Sequence, residues 1–212
     1  MTLKHLISFT LVAASLMSCG RGEPDRVNVA DLSSTDIPAN LVPVCGDPNI
    51  LGVELEDISN GSCGIDDPVK VYFVSGVELR RGATLNCKTA GAFKEWVDTA
   101  AQPSAEDVDS YIVRFRVASH YACRTRNSQP GARLSEHAKG NAIDIGGFTL
   151  ANGDVVNVES DWRQGKYSEM LQEMYRNACG TFGTTLGPEA DRHHQDHLHF
   201  DTADYRSGAY CR

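Results

Sequence analysis

The chain has 212 residues, 41% of them hydrophobic, and a formal net charge of −8 at pH 7. That length is enough for one domain with a proper core. The acidic balance, without any run of Lys or Arg, argues against nucleic acid as a partner and gives no reason to expect a strongly anionic polymer.

The N-terminus opens Met1-Thr2-Leu3-Lys4-His5 and then runs apolar from Leu6 to Met17. A short positive stretch followed by an apolar one this brief is a secretion signal rather than a membrane span. It stops at Leu16-Met17-Ser18-Cys19. A small residue before a Cys at that point resembles the lipobox of bacterial lipoproteins. The resemblance implies a signal peptide over 1–18 and a Cys19 that is acylated once exposed. Each buried methylene adds about 0.8 kcal/mol, so two or more acyl chains hold the protein to a membrane. Gly20, where inner-membrane retention expects Asp, tilts the expectation toward the outer membrane with the protein facing the periplasm. Residues 19–44, rich in Asp, Ser, Pro and Gly, read as a flexible tether. No other segment is apolar enough to cross a bilayer.

The remaining residues, 45–212, form the expected domain. Val69 to Val74 reads as a strand. Phe93, Trp96, Val97 and Ala100 fall at helical spacing in a helix over 89–100, which Pro103 ends or follows. Tyr111, Val113, Phe115 and Val117 alternate with Arg114 and Arg116, as in a half-buried strand. Asn141 to Leu150 looks extended, Asn152-Gly153 is a hairpin turn signal, and Val155 to Val158 is the return strand. Ser168 is placed to cap a helix whose apolar face is Met170, Leu171, Met174, Tyr175 and Ala178, with Gly180 as its stop. His197 to Asp201 is again extended. The expectation from this pattern is an α+β fold with a small antiparallel sheet and flanking helices.

Seven cysteines are present, and six remain once Cys19 is assigned to the lipid. An even set in an exported chain reads as three disulfides, for which about fifteen connectivities exist. Pairing in chain order, Cys45–Cys63, Cys87–Cys123 and Cys179–Cys211, is the expectation. None of the six forms a CxxC pair, so the cysteines do not suggest a zinc site.

Two segments carry the chemistry: Ser135-Glu136-His137-Ala138-Lys139-Gly140-Asn141-Ala142-Ile143-Asp144 and His193-His194-Gln195-Asp196-His197-Leu198-His199-Phe200-Asp201. In a strand, His197, His199 and Asp201 share one face, with Cα atoms about 6.5–7 Å apart. A catalytic zinc takes three protein ligands and keeps one position open. His137 and Asp144 complete such a set if the two segments meet in space.

The spacing Ser135, His137, Gly140, Ala142, Asp144, followed by His197-Leu198-His199, resembles the motif of the D-alanyl-D-alanine carboxypeptidase, lysostaphin-type peptidase and hedgehog-like superfamily. The wider chain is more similar still to the bacterial extensin-like C-terminal domain family, through Leu85-Asn86-Cys87, Tyr121-Ala122-Cys123-Arg124, Ser135-Glu136-His137 to Asp144, Leu186-Gly187-Pro188, His197-Leu198-His199 and Cys211. The resemblance implies Zn2+ held by His137, Asp144 and His199. Gly140 allows the tight turn between the first two ligands, and Ala142 leaves room beside Asp144. The resemblance offers two general bases: Asp196, three positions before the last ligand, and His197, first of the HxH pair. Regular strand geometry favours His197, leaving Asp196 or Asp201 to orient an imidazole. Arg124 is the expected clamp for a carboxylate or a developing oxyanion, with Arg126 as a weaker alternative. Ser135 is expected to orient its loop rather than act as a nucleophile. His120, His193 and His194 are not expected to be ligands.

Taken together these residues imply an envelope-anchored, monomeric zinc hydrolase that cleaves an amide bond in peptidoglycan peptides. The alternative is a non-catalytic, zinc-containing wall-binding or scaffold lipoprotein. A third reading, an iron oxygenase built on His194-Gln195-Asp196, lacks the distal His that a facial triad needs.

Overall fold

The computed structural model describes residues 37–212. The expected signal peptide, Cys19 and the expected tether as far as residue 36 lie outside the described residues. The end of the expected tether is part of the sheet: β1 (Val42–Val44) pairs antiparallel with β2 (Asp47–Glu54). β3 (Ile58–Asn60) and β4 (Cys63–Ile65) form a separate hairpin. β5 (Val69–Val74) lies between β2 and β6 (Val77–Leu85). A helical crossover follows, made of α1 (Cys87–Trp96), a π-helical turn at Val97–Ala101 and α2 (Gln102–Glu106). It returns the chain as β7 (Ile112–Ser119), parallel to β6. β8 (Ala142–Leu150) and β9 (Val155–Asn157) are the hairpin that Asn152-Gly153 announces. Helices α3 (Val158–Asp161) and α4 (Ser168–Arg176) precede β10 (Thr184–Leu186), β11 (Leu198–Asp201) and β12 (Tyr210–Cys211).

The expected α+β fold with a small antiparallel sheet is not what forms. The protein is mostly β, with 37% strand and 23% helix, and its main sheet has ten strands in the order β1-β2-β5-β6-β7-β8-β11-β10-β12, with β9 added alongside β8. The sheet is mixed because β6–β7 and β10–β12 run parallel. The strands absent from the sequence reading have physical reasons for their silence. β1 and β2 contain Pro43 and Pro48 flanking a turn at Cys45-Gly46. β6 carries Arg80-Arg81-Gly82 in its middle, which breaks the alternation. There Arg81 and Gly82 take φ of 67° and 71°, and the ladder between β5 and β6 shifts register. A Cβ on Gly82 would come within 3.0 Å of the Tyr72 ring.

Pro103 does not end the first helix. Gln102 N–H donates to Val97 O, five residues back, so the ladder widens by one residue just ahead of the proline and its missing N–H is tolerated. Ser168 is not a cap either: it is the first residue of α4, and its hydroxyl donates to Trp162 O at 2.7 Å. The expected apolar face of α4 is buried, with Met170, Leu171, Met174, Tyr175 and Ala178 all in the core. Trp96 from α1 donates its indole N–H to Met174 O at 2.8 Å, and its ring meets Phe93, Phe115 and Phe200. This aromatic layer holds the helices on one face of the sheet, directly behind β11.

α1 starts where Asn86 caps it, its side-chain oxygen accepting from Thr89 N–H at 2.9 Å. The Asn86 amide also donates to Asn141 Oδ1 at 2.6 Å, joining the helix start to the segment between His137 and Asp144. Asn86→Ala removes both bonds and is expected to cost about 1–2 kcal/mol, read as a lowered urea midpoint at unchanged slope.

The three disulfides are Cys45–Cys87, Cys63–Cys123 and Cys179–Cys211. Only the last follows chain order, so the expected Cys45–Cys63 and Cys87–Cys123 are corrected. Cys63 belongs to the detached hairpin β3–β4, 5.5 Å Cα to Cα from Cys123 in the loop after β7. Cys45 lies at the β1–β2 turn, 5.2 Å from Cys87 at the start of α1. Among the described residues no helix is long and apolar enough to cross a membrane.

Candidate metal centre

β8 and β11 lie side by side, and their antiparallel register sets His199 directly opposite Asp144. Directly opposed residues project their side chains on the same face, so two of the three expected ligands meet by backbone pairing alone. The third, His137, comes from a single 3₁₀ turn, Glu136–Lys139, that leads into β8. Gly140 ends this turn at φ +66°, and a Cβ there would strike Ile65 Cδ1 at 2.4 Å. The glycine is therefore needed both for its conformation and for its closeness to β4. Ala142, fully buried, pairs with Asp201.

The three side chains converge. His199 Nδ1 is 2.8 Å from Asp144 Oδ1, His137 Nε2 is 3.2 Å from Asp144 Oδ2, and His137 Nε2 is 3.3 Å from His199 Nδ1. One ligand atom from each lies within 4.8 Å of the others, and all three residues are buried. Ligands at about 2.0–2.1 Å from a tetrahedral ion sit about 3.3 Å apart, so this donor set fits a divalent metal. The outer nitrogens are also held. His137 Nδ1–H donates to His120 O at 2.8 Å, and His199 Nε2 is 3.1 Å from Asp201 Oδ2. Both bonds select the tautomer that turns a lone pair inward. Asp201, whose role was one of two open choices, is the partner of His199.

Without a metal the cluster stores a proton. Burial pushes the His199 imidazole down, but the hydrogen bonds to Asp144 and Asp201 outweigh it and raise its pKa to about 9. Burial pushes Asp144 up, and the hydrogen bonds from His137 and His199 outweigh that, holding its carboxyl far below the usual carboxylate range. The raised His199 contributes stability that is complete below its unfolded value of about 6.5 and is lost as pH rises through about 9. The depressed Asp144 contributes stability above about 3.8, lost as pH falls toward its folded value. Chelator-treated protein is accordingly expected to lose thermal stability between about pH 6.5 and 9, a loss that His199→Gln removes; a melting temperature flat across that window in the wild type overturns it.

The cluster forms the floor of an open cavity of about 440 Å³. His197 lies just before β11 and turns inward, its Nε2 3.6 Å from Asp144 Oδ2 and its Nδ1 2.8 Å from Asp196 Oδ1. Asp196 itself is largely solvent-exposed, and its hydrogen bond to His197 holds its carboxyl below the usual range. Of the two candidate bases, then, His197 faces the cluster and Asp196 orients its ring. Arg124 lines the cavity, and among the described residues its guanidinium has no partner. Ser135 orients its loop through its backbone, its N–H donating to Arg124 O and its carbonyl accepting from Ala138 N–H. Arg126 is 3.9 Å from Glu136.

His193 is exposed beside Arg192. His194 is outside the ligand cluster but forms part of the cavity wall. It is buried, bonded to Asp191 Oδ1 at 2.8 Å, with its ring 5.2 Å from that of His197. Among the described residues His194 and Asp196 do not share a ligand cluster, which leaves no triad of the iron-oxygenase kind. The sequence reading missed the Asp191–His194 pair and the contributions of Tyr205 and Tyr210 to the wall. The Asp191/His194 spacing, i to i+3, was a usable signal for a side-chain bond across one turn.

Among known proteins, the family described as Extensin-like protein C-terminus matches residues 48–212. No curated protein and no solved structure matches the chain.

Proposed function

This chain belongs to the Extensin-like protein C-terminus family, and from that premise we propose that it is an envelope-anchored, zinc-dependent hydrolase that cleaves an amide bond in peptidoglycan peptides. The observation that carries this reading is the buried meeting of His137, Asp144 and His199, both outer imidazole nitrogens already partnered, at the floor of an open cavity. A purely structural cluster has no need of the open side. The motif spacing supports kinship with the D-alanyl-D-alanine carboxypeptidase and lysostaphin-type enzymes. The lipobox-like Ser18-Cys19 supports an anchor in the periplasmic envelope, where wall peptides are within reach.

His137, Asp144 and His199 would hold the ion, which supplies Lewis acidity and makes water a usable nucleophile near neutral pH. The protein's own groups do the rest. Arg124 lines the cavity with a guanidinium that has no partner among the described residues, and its two parallel N–H donors meet the charge that grows on a carbonyl oxygen. His197 accepts a proton from water at Nε2 and returns it to the departing nitrogen, its ring held by Asp196 at Nδ1. Asp201 and the His120 carbonyl keep the two imidazole ligands in register.

The test is mass spectrometry of purified muropeptides incubated with zinc-loaded protein, metal-stripped protein and His197→Ala. New products are expected from the loaded wild type and none from the metal-stripped protein. His197→Ala is expected to retain its metal and slow turnover by about 10²–10⁴-fold. Loaded protein that binds muropeptides and leaves them uncut speaks for the wall-binding scaffold instead.

A further inference from the structure

A second cavity of about 490 Å³ adjoins the metal centre, and Arg126, Glu136 and Tyr205 line both. Its wall carries four cations, Lys88, Arg126, Arg133 and Lys139, against two carboxylates, Glu136 and Asp204. In a chain of net charge −8 this is a local inversion of sign. Glu136 is already committed: Lys139 is 3.3 Å from it, Arg126 is 3.9 Å away, and the Asn141 amide donates to it at 2.8 Å. The Lys88 ammonium donates to Thr202 O at 2.9 Å. Arg133 is exposed and, among the described residues, has no side-chain partner.

The backbone puts two of these cations together. Thr125 and Leu134 form an antiparallel bridge, and Arg126 N–H donates to Arg133 O at 2.9 Å. Arg126 and Arg133 therefore face each other at the base of one loop, pinned to the β3–β4 hairpin through Cys63–Cys123. Like charges opposed across such a pair repel, and an anion between them offsets the repulsion.

We infer that the substrate peptide carries a carboxylate on the side of the scissile bond that enters this cationic cavity, and that Arg126 and Arg133 bind it. The carboxylate is either the peptide's free C-terminus or an acidic side chain close to the cleaved amide. Guanidinium pairs recognise such groups through parallel N–H donors. The inference rests on the reading of the metal cavity as the place where an amide is bound, but it is tested by binding and needs no turnover.

The experiment measures fluorescence polarisation of labelled Ala-Glu-Ala-Ala, its C-terminal amide, and Ala-Gln-Ala-Ala, with the zinc-loaded protein at low and high salt. One of the two neutralised peptides is expected to bind about tenfold more weakly, about 1.4 kcal/mol, and which one identifies the source of the carboxylate. Arg126→Gln/Arg133→Gln is expected to erase the difference while metal content stays unchanged. Arg133→Glu, a single exposed change, is expected to weaken the charged peptide further. Equal affinity for all three peptides, no measurable binding of any, or a double variant that still discriminates overturns the inference. Absence of cleavage alongside charge-selective binding would count against the hydrolase reading only.

Discussion

Replacing His199 with alanine is expected to lower zinc affinity by more than about 100-fold, because loss of an outer partner alone costs about 10–100-fold and His199 is an inner donor. Its Nδ1 is the atom nearest Asp144, at 2.8 Å, and its Nε2 is tied to Asp201. Asp201→Asn keeps the ring in place and removes only the outer charge, so it is expected in the lower band. The two variants make a graded series, read by competition with a chromophoric chelator. Equal affinity in wild type and His199→Ala removes the metal centre from the account. Metal and proton compete for the same imidazole, whose pKa stands at about 9 in the metal-free protein. Uptake should therefore release a proton and tighten as pH rises, visible as a calorimetric heat that depends on the buffer's ionisation enthalpy.

The second large effect is expected one residue further on. Phe200 alternates with His199 and Asp201 along β11 and is fully buried on the opposite face of the sheet. It stacks on Phe182 at 4.7 Å and meets Trp96 at 4.9 Å between ring centroids. Phe200→Ala empties that position and is expected to cost about 3–5 kcal/mol in stability. The strand that loses its packing also carries the last ligand, so metal affinity should fall with it. Phe200→Leu, which refills most of the volume, should restore most of both. If Phe200→Ala binds zinc as tightly as the wild type at a temperature where it stays folded, the sheet packing and the site are independent.

The residues of the candidate site were more legible than the fold around them. His137, Asp144 and His199 could be named because each sits in a short motif of restrictive chemistry; strand alternation accounts for Asp201 beside His199, whereas His197 precedes the strand and turns inward. The role of Asp201 stayed open because a carboxylate at a strand end has many uses; only its burial opposite His199 Nε2 decides it. Strand pairing is non-local, and nothing along the sequence announces that β6 lies beside β7 or β11 beside β8. The shortest strands, β10 and β12, have too few residues to show a period. Overall charge says nothing of local charge. A net of −8 conceals the cationic cavity, whose cations Lys88, Arg126, Arg133 and Lys139 are dispersed along the chain and gather only in three dimensions. Disulfide pairing depends on which turns meet, so chain order was right only for Cys179–Cys211.

Cys45–Cys87 and Cys63–Cys123 interlock, because the second begins inside the span of the first and the first ends inside the span of the second. A protease that cuts any one peptide bond between residues 45 and 123 therefore leaves two fragments still covalently joined. A nicked molecule runs at full size on a non-reducing gel and separates only after thiol treatment. This topology lets the half of the domain that precedes the His137–Asp144 segment survive a break in its backbone without being shed.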